Sequence, residues 1–236
     1  MKGKRKYIFT AVMLAVLLFI GNAAASFWAS MKAEQDISMG TLGLELHVVG
    51  KNGEPVEVNM LPVLSPGTFQ DYRISASNQA SNAFYCRIRI DKYFLNGQNV
   101  KTTEPGAENL RLAIAKEAVN DWYIDGFDPG TAQTLEKTGE DGVRRTYVIL
   151  PDDAENHETV IAYYRKPLNA GESTKQLMDY IYLSPDSDDD TLAGNDICIS
   201  VSADAVQSVA GIKAIQAEWG LDVSTDATGR ILNISD

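Results

Sequence analysis

Apolar and polar residues alternate with a period of two along most of this chain, the spacing that places side chains on opposite faces of a strand. The alternation predicts strands at 42–48, 68–76, 84–94, 146–150, 159–164, 177–183 and 196–206. The run at 84–94 is the clearest. Cys86, Ile88 and Ile90 share a core face, while Arg87, Arg89 and Asp91 face water. Turn chemistry separates the runs: Gly50-Lys51-Asn52-Gly53 ends the first, Ser65-Pro66-Gly67 opens the second and Asn96-Gly97 ends the third. Short strands divided by Gly, Pro and Asn clusters predict an all-β antiparallel sandwich.

Two segments carry a helical period instead. Leu110, Ile114, Ala118 and Val119 predict a short helix over 109–120, and Ile212, Ile215 and Trp219 predict a second over 211–219. Residues 125–145, rich in Gly, Asp, Glu and Thr, read as a long loop or hairpin tip, and 186–190 as another loop.

The first forty residues have a different character. Lys2, Lys4, Arg5 and Lys6 precede an uncharged apolar run from Tyr7 to Ile20. Ala23-Ala24-Ala25 then supplies the small-residue pattern read by signal peptidase. These features predict an export signal at 1–25, with Ala23, Ala25 and Ser26 defining the cleavage site. As a helix the run rises about 21 Å, short of the roughly 30 Å hydrocarbon core. Extension through Ala25 would nearly span, so a retained anchor is the alternative. After cleavage no second apolar stretch is long enough to cross, and the expected product is secreted, with no stable membrane span. Residues 26–40 then form an N-terminal arm and 41–236 the sandwich domain.

Composition narrows the partners. The formal charge is −11, and removing the four cations before Tyr7 leaves −15. Such a surface repels phosphate backbones, so nucleic-acid binding is not expected. Cys86 and Cys198 are the only cysteines. In an exported chain two thiols can pair, but their alternation puts them on opposite strand faces, which makes a bridge awkward.

Several short motifs carry a resemblance when taken in order. They are Gly40-Thr41-Leu42-Gly43-Leu44, Leu64-Ser65-Pro66-Gly67, Asn78-Gln79-Ala80-Ser81-Asn82, the stretch from Tyr163-Tyr164-Arg165-Lys166-Pro167-Leu168 through Asn169-Ala170-Gly171-Glu172-Ser173-Thr174, and Ala203-Asp204-Ala205-Val206-Gln207. Following an export signal, this order resembles the TasA/camelysin family of Gram-positive exported proteins, released by a dedicated signal peptidase. The resemblance implies a jelly-roll sandwich and a structural place in the cell surface or biofilm matrix. It also implies self-association into fibres, or co-assembly with related matrix subunits, by donation of the arm as a strand. The arm departs from the family's usual new N-terminus: Phe27-Trp28-Ala29-Ser30 has no Asp after the aromatic.

Strand donation has a physical basis here. An open sandwich edge leaves backbone N–H and C=O groups unpaired, and an extended arm satisfies them while seating alternate side chains. From Ser26 to Asp36 the arm reaches about 36 Å when extended. Phe27, Trp28, Met31 and Ile37 are its anchor candidates. The same arm also suits the first strand of its own domain, which would make the protein a monomeric binding or adhesion module.

The third alternative, a metalloendopeptidase, has thin support. The chain has two histidines, His47 and His157. His157-Glu158-Thr159-Val160-Ile161 carries half of a His-Glu-x-x-His zinc motif, with Ile161 where the second ligand belongs. No Gly-x-Ser-x-Gly elbow or phosphate loop is present, so no catalytic residue and no cofactor is assigned. Asp152 and Asp153 read as solvated loop carboxylates. Asp186, Asp188 and Asp190 are weak calcium candidates, lacking the glycine and glutamate an EF-hand requires. Trp122 and Trp219 read as packing residues.

Overall fold

A computed structural model of the protein describes residues 30–32, 43–50, 53–56, 65–96, 98, 100–103, 106–185 and 195–235. Its strands are β1 (Ser30–Lys32), β2 (Leu44–Val49), β3 (Phe69–Asn78), β4 (Phe84–Asn96), β5 (Lys101–Thr102), β6 (Leu110–Ala115) and β7 (Trp122–Ile124). They continue with β8 (Thr134–Thr138), β9 (Arg144–Ile149), β10 (Thr159–Tyr164), β11 (Met178–Leu183) and β12 (Asn195–Gln207). One helix, α1 (Ile212–Trp219), and a hairpin of β13 (Asp222–Thr225) and β14 (Ile231–Ser235) close the chain.

The strands form two six-stranded antiparallel sheets. Sheet A runs β1-β12-β4-β10-β7, with β5 also paired to β4, and sheet B runs β2-β3-β11-β6-β9-β8. From β3 to β12 the chain passes repeatedly from one sheet to the other, the path of a jelly-roll-like sandwich. Alternation decides what each strand buries. On β4 the row Cys86, Ile88, Ile90, Phe94 faces inward, opposite Ala205, Ala203, Val201 and Ile197 of β12. Sheet B answers with Tyr72, Ile74, Leu110, Leu112, Ile114 and Ile181.

A second, smaller apolar cluster lies on the other side of sheet A. Ala214 and Ile215 of α1, with Val223 and Ile231 of the hairpin, cover Tyr85, Tyr163 and Val206. Trp219 packs on Tyr163 with ring centroids 5.5 Å apart, and the Arg87 guanidinium lies 5.1 Å from the Trp219 ring. Helix α1 stops at Gly220, whose φ of 70° provides the left-handed cap. Trp122, by contrast, sits in the main core, 1% exposed.

The helix expected over 109–120 is absent: Leu110–Ala115 is a strand flanked by short 3-10 turns. Leu110, Leu112 and Ile114 also alternate with period two, and pairing between β11 and β9 settled the ambiguity in favour of the sheet. Within 125–145 the hairpin reading holds for the distal part, where β8 pairs with β9.

Cys86 and Cys198 are both buried free thiols. Along β4 and β12 their register partners are Ala205 and Tyr93, on opposite faces of the sheet and far apart along the strands. Burial, with a smaller push from Asp204, raises the Cys86 thiol to about 12. A thiol with a raised folded value stabilises fully below the unfolded value of about 8.5, and that contribution fades as pH climbs toward the folded value. Between pH 8 and 10 the protein should therefore lose about 2 kcal/mol more stability than Cys86→Ala does. Urea unfolding of both proteins at the two pH values, under reductant, checks this; parallel losses would mean the thiol is not held protonated.

Candidate functional site

Three of the short sequence motifs meet at one end of the sandwich. Asn78, fully buried, donates from Nδ2 to the carbonyls of Leu168 (2.8 Å) and Asn82 (2.9 Å), and its Oδ1 accepts from the Ala80 amide at 2.8 Å. The strand is clamped to the 167–174 segment by further bonds. The Asn78 amide donates to Glu172 O, and the Thr174 hydroxyl accepts from Ala76 N at 3.0 Å. Gly43, at φ +58°, packs so closely that an added Cβ would lie 2.4 Å from the Ala80 amide nitrogen. These motifs therefore build architecture, and no chemistry is concentrated at them.

The arm enters the described structure at β1. Ser30, Met31 and Lys32 pair antiparallel with Asp204, Ala203 and Ser202 of β12 in the same chain. This pairing makes β12 an acceptor edge, and it falls on the Ala203-Asp204-Ala205-Val206-Gln207 motif. Asp204 is anchored from the other side by Arg87, whose Nη2 lies 2.7 Å from Oδ2. Of the arm anchors only Met31 falls in β1. Phe27, Trp28 and Ile37, the signal at 1–25 with Ala23 and Ala25, and Ser26 all lie outside the described residues, as do Asp186, Asp188 and Asp190.

A polar chain that the alternation rule did not flag runs into a cleft beside the sandwich. Lys92 continues the core row of Cys86, Ile88 and Ile90, so its alternation places a lysine inside, 1% exposed. Its ammonium donates to Ala107 O at 2.7 Å and pairs with Asp152 Oδ2 at 2.9 Å. Burial pushes the Lys92 ammonium below the ordinary lysine range, and Asp152 pulls it back up. The other Asp152 oxygen lies 2.9 Å from His157 Nδ1. Asp152 is thus not the freely solvated loop carboxylate that its position suggested.

Nor is Asp153. It closes the 153–159 turn by accepting the amides of Glu155, Asn156, Glu158 and Thr159. Burial opposes its ionisation, but those four donors prevail and hold the carboxyl at about 2. The turn they define carries His157 at φ +59°, a left-handed conformation uncommon for a residue with a side chain. The cleft, about 300 Å³, is lined by His157, Asp152, Asp128, Phe127, Arg111 and Gln133, among others.

His157 and Glu158 do not form half of a zinc helix. They occupy the turn before β10, and Glu158 is engaged by Lys101. His47 sits on β2 with Nε2 2.9 Å from Ser77 Oγ, partly exposed. Among the described residues no group of three His, Cys, Asp or Glu side chains is arranged to hold a metal ion. Asp152 holds one imidazole nitrogen of His157 at the cleft, but no hydroxyl or thiol nucleophile is bonded to that ring among the described residues.

Comparison with known proteins adds no identity: no family profile, no curated protein and no solved structure matches the chain.

Proposed function

We propose that this chain is an exported structural protein of the cell surface or extracellular matrix, assembled by adding its N-terminal arm as a strand to the β12 edge. The observation that carries the reading is the β1–β12 register, in which Ser30, Met31 and Lys32 meet Asp204, Ala203 and Ser202. Backbone pairing at an edge is indifferent to whether the strand comes from the same chain or from a neighbour, because the donors and acceptors are identical. The small-residue site before Ser26, the charge of −11 and the resemblance to the TasA/camelysin family agree with it.

A monomeric adhesion module is the second reading, favoured by the fact that β1 lies on its own chain. A cysteine pair distinguishes the two. Directly opposed residues on antiparallel strands bring their Cβ atoms to roughly 5 Å, close enough for a disulfide after small shifts. In Lys32→Cys/Ser202→Cys, oxidation of assembled protein should give a covalent ladder on a denaturing gel. Deletion of 26–36 should abolish fibres in electron micrographs. Cross-linked monomer alone, together with fibres that persist without the arm, would end the strand-exchange account.

A further inference from the structure

The two outer faces of the sandwich are treated differently. Sheet A is covered over Tyr85, Tyr163 and Val206 by α1 and the β13–β14 hairpin. Sheet B turns an aromatic layer outward instead. Phe69 on β3 is the register partner of Tyr182 on β11, with ring centroids 4.7 Å apart. Tyr180, two residues along β11 on the same face, stands edge-on to Phe69 at 5.7 Å and to Tyr147 at 4.9 Å. None of these four rings belongs to either apolar core cluster of the described residues. Tyr147 and Tyr182 are buried at the base of the layer, whereas Phe69 and Tyr180 are half-buried, so ring surface of these two remains open to a ligand.

Two cations border the layer. The Lys137 ammonium lies 3.6 Å from the Tyr180 ring centroid and 5.3 Å from that of Phe69. Arg111, the other register partner of Tyr182, bonds the neutral amide oxygen of Gln133 at 3.0 Å. Among the described residues neither cation has a carboxylate within ion-pairing distance, in a chain with 32 acidic residues. Neighbouring Arg73, Arg144 and Arg145 are each paired, with Asp71, Glu136 and Asp141. Two cations without a carboxylate partner beside these rings offer a negatively charged ligand a local attraction in an otherwise acidic protein.

We propose that the outer face of sheet B binds a carboxylated polysaccharide, its sugar rings laid against Phe69 and Tyr180 and its carboxylates met by Lys137 and Arg111. Sugar rings are suited to such a face. Their C–H groups are polarised positive and meet the negative faces of the rings, while a guanidinium takes a carboxylate through two parallel N–H bonds. The site spans a few side chains of one sheet face. That matches one segment of a polymer better than a stable protein interface, which buries about 800 Å² on each partner. The proposal is independent of the strand-addition reading, since it concerns a face shared by monomer and assembly.

Affinity electrophoresis of the purified protein in gels containing polygalacturonate, dextran or polyglutamate tests it. Retardation is expected with polygalacturonate, much less with neutral dextran and none with polyglutamate. Tyr180→Ala should weaken the apparent affinity about tenfold. Lys137→Gln, a surface change that spares the fold, should weaken it about threefold and flatten its salt dependence. Lys213→Ala, on exposed helix α1, should match the parent protein. Equal retardation by polyglutamate would assign the face to acidic polypeptides, and equal loss in Lys213→Ala would mean diffuse charge. Either result, or no retardation by polygalacturonate, overturns the proposal.

Discussion

Asn78→Ala should lower the unfolding free energy by about 3 kcal/mol, and the melting temperature by roughly 10 °C. The side chain is fully buried and makes three hydrogen bonds within 2.9 Å, two as donor and one as acceptor. Each such bond contributes about 1 kcal/mol net, and a buried carbonyl left without a donor adds its desolvation penalty. Leu168 O retains a partner in the Phe84 amide, which limits that penalty. Asn78→Asp should be no better, because it keeps only the acceptor role toward Ala80 and adds a buried charge. The measurement is urea unfolding followed by tyrosine and tryptophan fluorescence. A loss below about 1 kcal/mol would show that the 167–174 segment is held by its backbone bonds alone.

The second large effect is asymmetric. Asp152→Ala should cost about 3 kcal/mol, because it leaves the buried Lys92 ammonium without its ion-pair partner and with Ala107 O as its hydrogen-bond acceptor. Lys92→Met should fall within about 1 kcal/mol of the parent, since its unbranched apolar side chain fills a similar path and Asp152 stays partly exposed beside His157. The double variant should resemble Lys92→Met alone. A pH series adds a signed check. The folded ammonium titrates below the unfolded value of about 10.4, so the unfolded chain binds more protons in that interval. The Lys92 contribution to stability therefore rises with pH there, and Asp152→Ala should extend the rise toward neutral pH. Equal costs for Asp152→Ala and Lys92→Met would remove the stranded charge from the account.

These two sites divide the molecule's polar interior by purpose. Around Asn78, neutral amides join Gly43, the 78–82 turn and the 167–174 segment, so three of the short motifs of the sequence are satisfied by one another. Around Lys92, a charge pair and a histidine connect the core to a cleft that is open to solvent. The first arrangement fixes the fold, while the second sets the shape and charge of a concave surface.

The period-two alternation by itself determined most of the sandwich. Strands expected at 84–94, 159–164, 177–183 and 196–206 appear within two residues of β4, β10, β11 and β12, because one face of each is buried and a half-buried strand must alternate. The 211–219 segment likewise emerges as α1, with Ile215 and Trp219 of its expected face laid on sheet A, whereas Ile212 is left exposed and Ala214 is buried in its stead. Tertiary structure decided the rest. Leu110–Ala115 satisfies both periods and became a strand only because β11 and β9 offered it backbone partners. Lys92 and Asp152 are adjacent only through a fold that turns a lysine on the core row toward a loop sixty residues away in sequence. Sheet pairing is non-local: residues distant along the chain meet across it, and no local pattern of hydrophobic and polar positions encodes which polar groups those meetings will join.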